Sequence, residues 1–154
     1  MVLKISKTIG IIARLRHLLP TSVLFNIYNS LIQPYLHYGF VVWGQTSKTN
    51  LEEILLLQKR ALRSIYFSNN SESAIPIFLQ TNILPIDMLY YKSVGVLMHD
   101  IDHDHVPQNL KNLFTGIASI HSYNTRAAAA GKFHVIHSRT TQQKQSFSRL
   151  GVRI

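Results

Sequence analysis

Apolar residues return at every third or fourth position through most of this sequence, and no segment of useful length alternates apolar with polar. A period near 3.6 marks a helix with one buried face, whereas a period of two would mark a half-buried strand. The pattern therefore confines the chain to helices packed on helices. The first stretch predicts a helix from Leu3 to Leu19, with Ile5, Ile9, Ile12, Leu15 and Leu19 inward and Lys4, Lys7 and Arg14 close together on another face. Pro20 stops it. Thr21 or Ser22 is placed to cap the next helix through a short hydroxyl side chain. That helix carries the stripe Leu24, Ile27, Tyr28, Leu31 and Ile32. Pro34 has no N–H to give the helical ladder, so it should kink or divide the helix. Apolar residues then resume through Trp43, and Gly44 is a natural stop.

Further along, Thr49 to Glu52 ("TNLE") reads as a capping box in which Thr49 caps and Glu52 reaches back. The helix it opens runs to about Phe67, with Leu51, Ile54, Leu55, Gln58, Leu62 and Ile65 inward. Lys59, Arg60 and Arg63 crowd its last turns, where cations suit the negative end of the dipole. A polar loop, Ser68 to Ser73, leads to a short helix around Ile75 to Gln80. A longer one follows over Ile86 to Ile101, with the stripe Ile86, Leu89, Tyr90, Val94, Leu97 and Ile101. Leu110 to Phe114 has room for a turn or two. From Thr115 onwards the periodicity ends and the sequence turns polar and basic. The expected fold is all-α: a small bundle of about four or five helices over residues 1–114, then an irregular basic C-terminal extension over 115–154. Its expected core includes Leu24, Ile27, Leu31, Tyr35, Trp43, Leu55, Leu62, Leu89 and Leu97.

Charge narrows the partners. Sixteen Lys and Arg stand against seven Asp and Glu, a formal net charge of +9. No acid occurs before Glu52 or after Asp104, so both ends are purely basic. Such a balance suits a polyanion, nucleic acid first and an anionic membrane surface second; it also occurs in basic proteins with neither partner. Cysteine is absent, which removes disulfides, thiolate zinc sites and cysteine nucleophiles. No secretory signal is visible, and an intracellular location, nuclear or cytoplasmic, is expected. His17 to Ser47 carries no Lys, Arg, Asp or Glu, but Asn26, Asn29, Gln33, Pro34 and His37 interrupt it. A spanning helix needs about 20 predominantly apolar residues, so no membrane partner is expected.

Within that run lies Tyr35 to Gly44, "YLHYGFVVWG", with four aromatic side chains and a histidine. It has the composition of a base-stacking platform, of a membrane-seeking segment or of packed core. The stripe leading into it favours core, because aromatics at helical spacing are usually buried. His99 to His105 ("HDIDHDH") holds ligand types that zinc accepts, yet every donor is local, which is the pattern of a solvated turn. His121 to Arg126 ("HSYNTR") admits two readings. Tyr123 stacks on a base while Arg126 meets phosphate and Asn124 donates; or Ser122 and Asn124 bond their own backbone in a turn. Lys59, Arg60 and Arg63 are similarly either phosphate contacts or a solvated face. No Gly-rich phosphate loop, HExxH or GxSxG is present.

Four blocks occur in an order that carries a resemblance: "KISKTIGIIARLRHLLP" (Lys4 to Pro20), "LFNIYNSLIQPYLHYGFVVWG" (Leu24 to Gly44), "LLLQKRALRSI" (Leu55 to Ile65) and "IHSYNTR" (Ile120 to Arg126). Together they resemble the C-terminal part of non-LTR, jockey-like or LINE-type retrotransposon reverse transcriptases, over nearly the whole chain. The most specific elements are Tyr-Asn-Ser-Leu-Ile, Pro-Tyr-Leu and Trp-Gly of the second block. The resemblance implies a helical thumb that grips a template–primer duplex, followed by a C-terminal extension. It implies as partners an RNA/DNA duplex or other nucleic acid and the palm and fingers of a parent polymerase. Under this reading the basic and aromatic side chains Lys4, Lys7, Arg14, Arg16, Lys59, Arg60, Arg63, Tyr123 and Arg126 are candidate nucleic-acid contacts. In such enzymes two Mg2+ ions sit on palm aspartates in an Asp-Asp motif. This sequence has no Asp-Asp dipeptide, so neither a catalytic residue, a metal site nor a cofactor is expected here, and no polymerisation by this chain alone. Members commonly continue to a Trp-containing segment after a position like Gly151, so a fragment of a longer enzyme is expected. The competing expectation is a degenerate remnant or protein-interaction module with no nucleic-acid role.

Overall fold

A computed structural model describes residues 1–137, 139–140, 143–144 and 146–153. They form an all-α protein, with α1 Val2–Leu15, α2 Thr21–Leu31, α3 Gln33–His37, α4 Phe40–Trp43, α5 Lys48–Tyr66, α6 Ile75–Thr81, α7 Ile86–Asp102, α8 Gln108–Lys111, α9 Arg126–Ala129 and α10 Phe147–Leu150. Single 3-10 turns add Ile117–Ser119 and Gly151–Arg153. Among the described residues extended pairing is limited to one isolated antiparallel bridge, Gly116 with Phe133. The helices outnumber the expected four or five because Pro34 and Gly39 split one stretch into α2, α3 and α4, and because the region after Thr115 holds single turns.

By contacts the chain falls into two compact units, Met1–Phe40 with Ser47–Leu89, and Val41–Thr46 with Tyr90–Ile154. In the first, α1 packs on α5, α2 packs against both, and α6 lies on α5. The buried face of α1 is Ile5, Thr8, Ile9 and Ile12, and that of α5 is Ile54, Gln58, Ala61, Leu62 and Ile65. Between them runs a stripe with a strict four-residue step: Leu24, Tyr28, Ile32, Leu36 and Phe40, each at most 1 % exposed. The step survives the break in the helix. Ile32 departs from regular helical angles at φ −107°, ψ −50° while its N–H still donates to the Tyr28 carbonyl at 2.9 Å, and Pro34 enters in the first turn of α3, where it costs no hydrogen bond.

This stripe corrects two expected core positions. Leu31 is 45 % and Tyr35 39 % exposed. Each lies one residue before a buried member of the four-residue series, and the break at Ile32 keeps that series in phase, so both turn outward. Leu24, Leu62 and Leu89 are buried as expected, while Ile27, Leu55, Leu97 and Trp43 are half-buried. Two caps also differ. Pro20 occupies the position before α2 in extended backbone, φ −66° and ψ 153°, and no side chain caps that end. For α5 the cap is Ser47, whose hydroxyl accepts from the Asn50 N–H at 3.4 Å, so Thr49 and Glu52 lie inside the helix rather than forming a box at its start. Glu52 instead approaches Lys48 at 3.8 Å on the exposed surface.

One buried polar side chain organises the first unit. The Gln58 amide donates to the carbonyl of Leu84 at 3.0 Å and, at 3.4 Å, to the Tyr28 hydroxyl. Its carbonyl oxygen accepts from the Ile86 N–H at 3.0 Å. A buried amide left unsatisfied is costly, and here the partners come from α2 and from the entry into α7. Burial pushes the Tyr28 hydroxyl up to about 12, against a smaller opposing effect of the Gln58 hydrogen bond.

The second unit is built differently. Phe114 is buried and packs at tilted angles against Phe133 (5.6 Å between ring centres) and Phe147 (6.3 Å). Gly151 is buried so closely on α7 that an added Cβ would lie 2.4 Å from the Met98 sulfur and 3.4 Å from Val94. Among the described residues beyond Phe114 no element exceeds four residues, as the loss of periodicity after Thr115 leads one to expect.

Candidate nucleic-acid interface

The basic residues of α1 lie opposite its buried face. Lys4, Lys7 and Arg14 are exposed, and Leu3 and Ile11 stand exposed among them. Positions 3, 7, 11 and 14 follow at steps of four, four and three, which keeps them on one side of the helix. On α5, exposed Leu56 and Arg60 and half-buried Lys59 and Arg63 likewise stand off the buried face. Each of these two packed helices thus exposes cations with an aliphatic side chain among them, and α5 also exposes Glu52 and Glu53 near its start. Among the described residues Lys7, Arg14, Lys59 and Arg60 make no ion pair.

The remaining cations of this unit serve the fold. The Lys4 ammonium lies 5.6 Å from the centre of the exposed Tyr35 ring. The Arg16 guanidinium sits 4.9 Å from the Phe67 ring centre, and its Nε–H donates to His17 Nε2 at 3.2 Å. Phe67 holds the left-handed conformation (φ 56°) that ends α5, and His17 meets its ring edge-on at 5.5 Å. Arg63 donates to the carbonyl of Glu72, and the Glu72 carboxylate in turn accepts from the Asn69 N–H at 3.3 Å and amide at 3.2 Å. The polar loop after α5 is therefore laced to the helix rather than loose. In the same unit Ile75, Phe78, Leu79, Ile83, Leu84 and Pro85 line an open apolar groove of about 260 Å³.

In the second unit Tyr123 is 76 % exposed and Arg126 is exposed. The "HSYNTR" segment forms a turn, with the Thr125 N–H donating to the Tyr123 carbonyl at 2.9 Å, and the side chain that caps α9 is Thr125, which accepts from the Ala128 N–H at 3.2 Å. His121, to which neither reading of that segment gives a role, has a buried Nδ1 with no hydrogen-bond partner among the described residues. Its ring lies 6.0 Å from that of Tyr123, tilted by 50°.

The "HDIDHDH" stretch closes α7 as a turn. His99 and His103 stack at 4.1 Å, His103 Nδ1 lies 2.9 Å from the His99 carbonyl, and Asp104 takes φ 58°. Lys111 bonds the Asp104 carboxylate and holds it below its ordinary range. Among the described residues no three metal-ligating side chains converge, and no helix is long and apolar enough to cross a membrane. No protein-family model, curated protein or solved structure matches the chain.

Proposed function

We propose that this chain is a thumb-like region of a retrotransposon reverse transcriptase that holds an RNA/DNA duplex. One observation carries the reading: two packed helices, α1 and α5, present on their outward sides cations that make no ion pair among the described residues, Lys7 and Arg14 on α1 and Lys59 and Arg60 on α5, with no acidic residue on α1. Lys7 and Arg14 on α1 and Lys59 and Arg60 on α5 are the contacts this reading assigns to phosphate. Lys4, Arg16 and Arg63 have partners within the fold and contribute less. The block order in the sequence supports the same assignment through its resemblance to that enzyme family. Catalysis is assigned to parts of a parent polymerase outside this chain.

The test is a salt series of binding to an RNA–DNA hybrid. Each phosphate contact releases condensed counterions, so affinity should fall linearly on a log–log plot. Replacing Lys7, Arg14, Lys59 and Arg60 by Gln should flatten the slope by about one for each cation removed from phosphate. A folded protein that ignores the hybrid at low salt would reject the reading. A second reading, a protein-interaction module without nucleic acid, draws on the exposed groove along α6. It gains support if sizing shows oligomers and the hybrid does not bind.

A further inference from the structure

We infer that the open hollow lined by residues 118–129 takes a single unpaired nucleobase; the inference rests on the reading that this chain binds nucleic acid. The segment is closed at its base. The Ile117 N–H donates to the Lys132 carbonyl at 2.9 Å and the His134 N–H to the Thr115 carbonyl at 2.7 Å, so both ends of the loop meet at the Gly116–Phe133 bridge. Lys132 N–H returns to the Ala127 carbonyl at 3.0 Å, with Gly131 at φ 65° allowing the reversal. A loop pinned in this way presents a shaped surface, not a flexible strand.

The hollow measures about 220 Å³. Typical small-molecule sites hold about 300–1,000 Å³, so this one suits a single planar ring system better than a whole nucleotide. It is lined by Ala118, Ala128 and Ala129, small and uncharged, and by His121, Ser122, Tyr123 and Asn124. Two features of the lining point to a base. The exposed Tyr123 ring offers the flat face on which any base stacks. The Asn124 amide offers a donor and an acceptor, the pairing a base edge answers. The exposed Arg126 stands two residues beyond Asn124, within the same turn, as a cation for the flanking phosphate.

The experiment uses the full chain and two forms of one RNA–DNA hybrid, blunt and carrying a short unpaired overhang labelled with the fluorescent base 2-aminopurine. The overhang should tighten binding about tenfold, the scale of one base stacked on one aromatic ring, and should quench the probe. In Tyr123→Ala the ratio of the two affinities should fall to about one, and in Tyr123→Phe it should persist. Circular dichroism checks that the variants fold. An abasic overhang that gives the same gain overturns the inference, since the backbone alone would then explain it. So does a gain that survives Tyr123→Ala, or an exposed peptide that competes for Tyr123 while the overhang gives none. Tyr123-dependent binding of the overhang strand without any blunt-hybrid binding would sustain the inference and remove the thumb reading.

Discussion

The unit of Met1–Phe40 and Ser47–Leu89 and the unit of Val41–Thr46 and Tyr90–Ile154 solve the same packing problem by opposite means. The first buries periodic faces of long helices and satisfies its interior polar group through Gln58. The second has one long helix and fixes the rest by point contacts, Phe114 between two phenylalanines and Gly151 against Met98. The comparison teaches that stability in the first is distributed over a lattice of small equal contacts, whose weak point is polar, while in the second it is concentrated in a few large side chains.

The largest expected effect is therefore Gln58→Leu. It leaves the Ile86 N–H and the Tyr28 hydroxyl buried without the amide, each costing about 1–3 kcal/mol, and takes the same partner from the part-buried Leu84 carbonyl. A destabilisation of about 2–6 kcal/mol is expected by chemical denaturation, the sum of the two buried groups. A value under about 1 kcal/mol would mean that water reaches these groups and that the amide is not the organising contact.

Phe114→Ala should come next, at about 3 kcal/mol, the range for emptying a buried aromatic site. Hydrogen exchange sharpens the comparison, because the rise in exchange should be concentrated in amides of residues 90–153. An equal rise throughout both units would break the contrast between distributed and concentrated packing.

These two residues also show what could be read from sequence. Gln58 falls on the inward stripe of α5 by spacing alone, as do Leu24, Leu62 and Leu89 on theirs, because a repeating face is a statement about many residues at once. Phe114, Phe133 and Phe147 have no common period; they meet only because the chain between them folds back at the Gly116–Phe133 bridge. Leu31 and Tyr35 misled for a narrower reason: the four-residue step and the break at Ile32 choose between adjacent apolar positions, and composition cannot. At the candidate interface the cationic sides of α1 and α5 were legible as faces. Which cations the fold employs was not, since Arg16 and Arg63 find their partners in Phe67 and Glu72 across a loop.

A pH experiment isolates Tyr28. Its folded value of about 12 lies above the ordinary value of 10.0. A raised value favours the neutral form in the folded state, so the associated stability is fully present below pH about 10 and is lost as pH rises through 12. The decrease should approach roughly 2–3 kcal/mol, at 1.36 kcal/mol for each pH unit of displacement. Tyr28→Phe should remove this alkaline step while costing under about 1 kcal/mol at neutral pH, because the hydrogen bond it deletes is long and Gln58 keeps its two shorter ones. A step that persists in the phenylalanine variant would assign it to another group.

Gly151→Ala probes the second unit more gently. The backbone there is helical, at φ −58° and ψ −39°, so alanine brings no strain of its own. The added methyl must displace the Met98 thioether, a flexible side chain, and a cost of about 1 kcal/mol is expected. Restoration by Met98→Ala in the double variant would locate the cost in that pair.

Phe67 carries the smallest effect and joins stability to binding. Its left-handed backbone costs a bulky residue about 1–2 kcal/mol, which glycine would relieve. Glycine also frees the unfolded chain, at about 0.4–1 kcal/mol, and gives up the Arg16 interaction, about 0.5–1 kcal/mol at an exposed site. Phe67→Gly should thus lie within about 0.5 kcal/mol of the parent, whereas Phe67→Ala, which keeps the strain and deletes the ring, should cost about 1 kcal/mol. Equal costs for the two would show that the backbone is not strained. Either substitution releases the Arg16 guanidinium from its ring. If α1 lies along a duplex, the log–log salt slope of hybrid binding should then steepen by up to about one. An unchanged slope would leave Arg16 to the fold alone and confine the duplex contacts of α1 to its outward face.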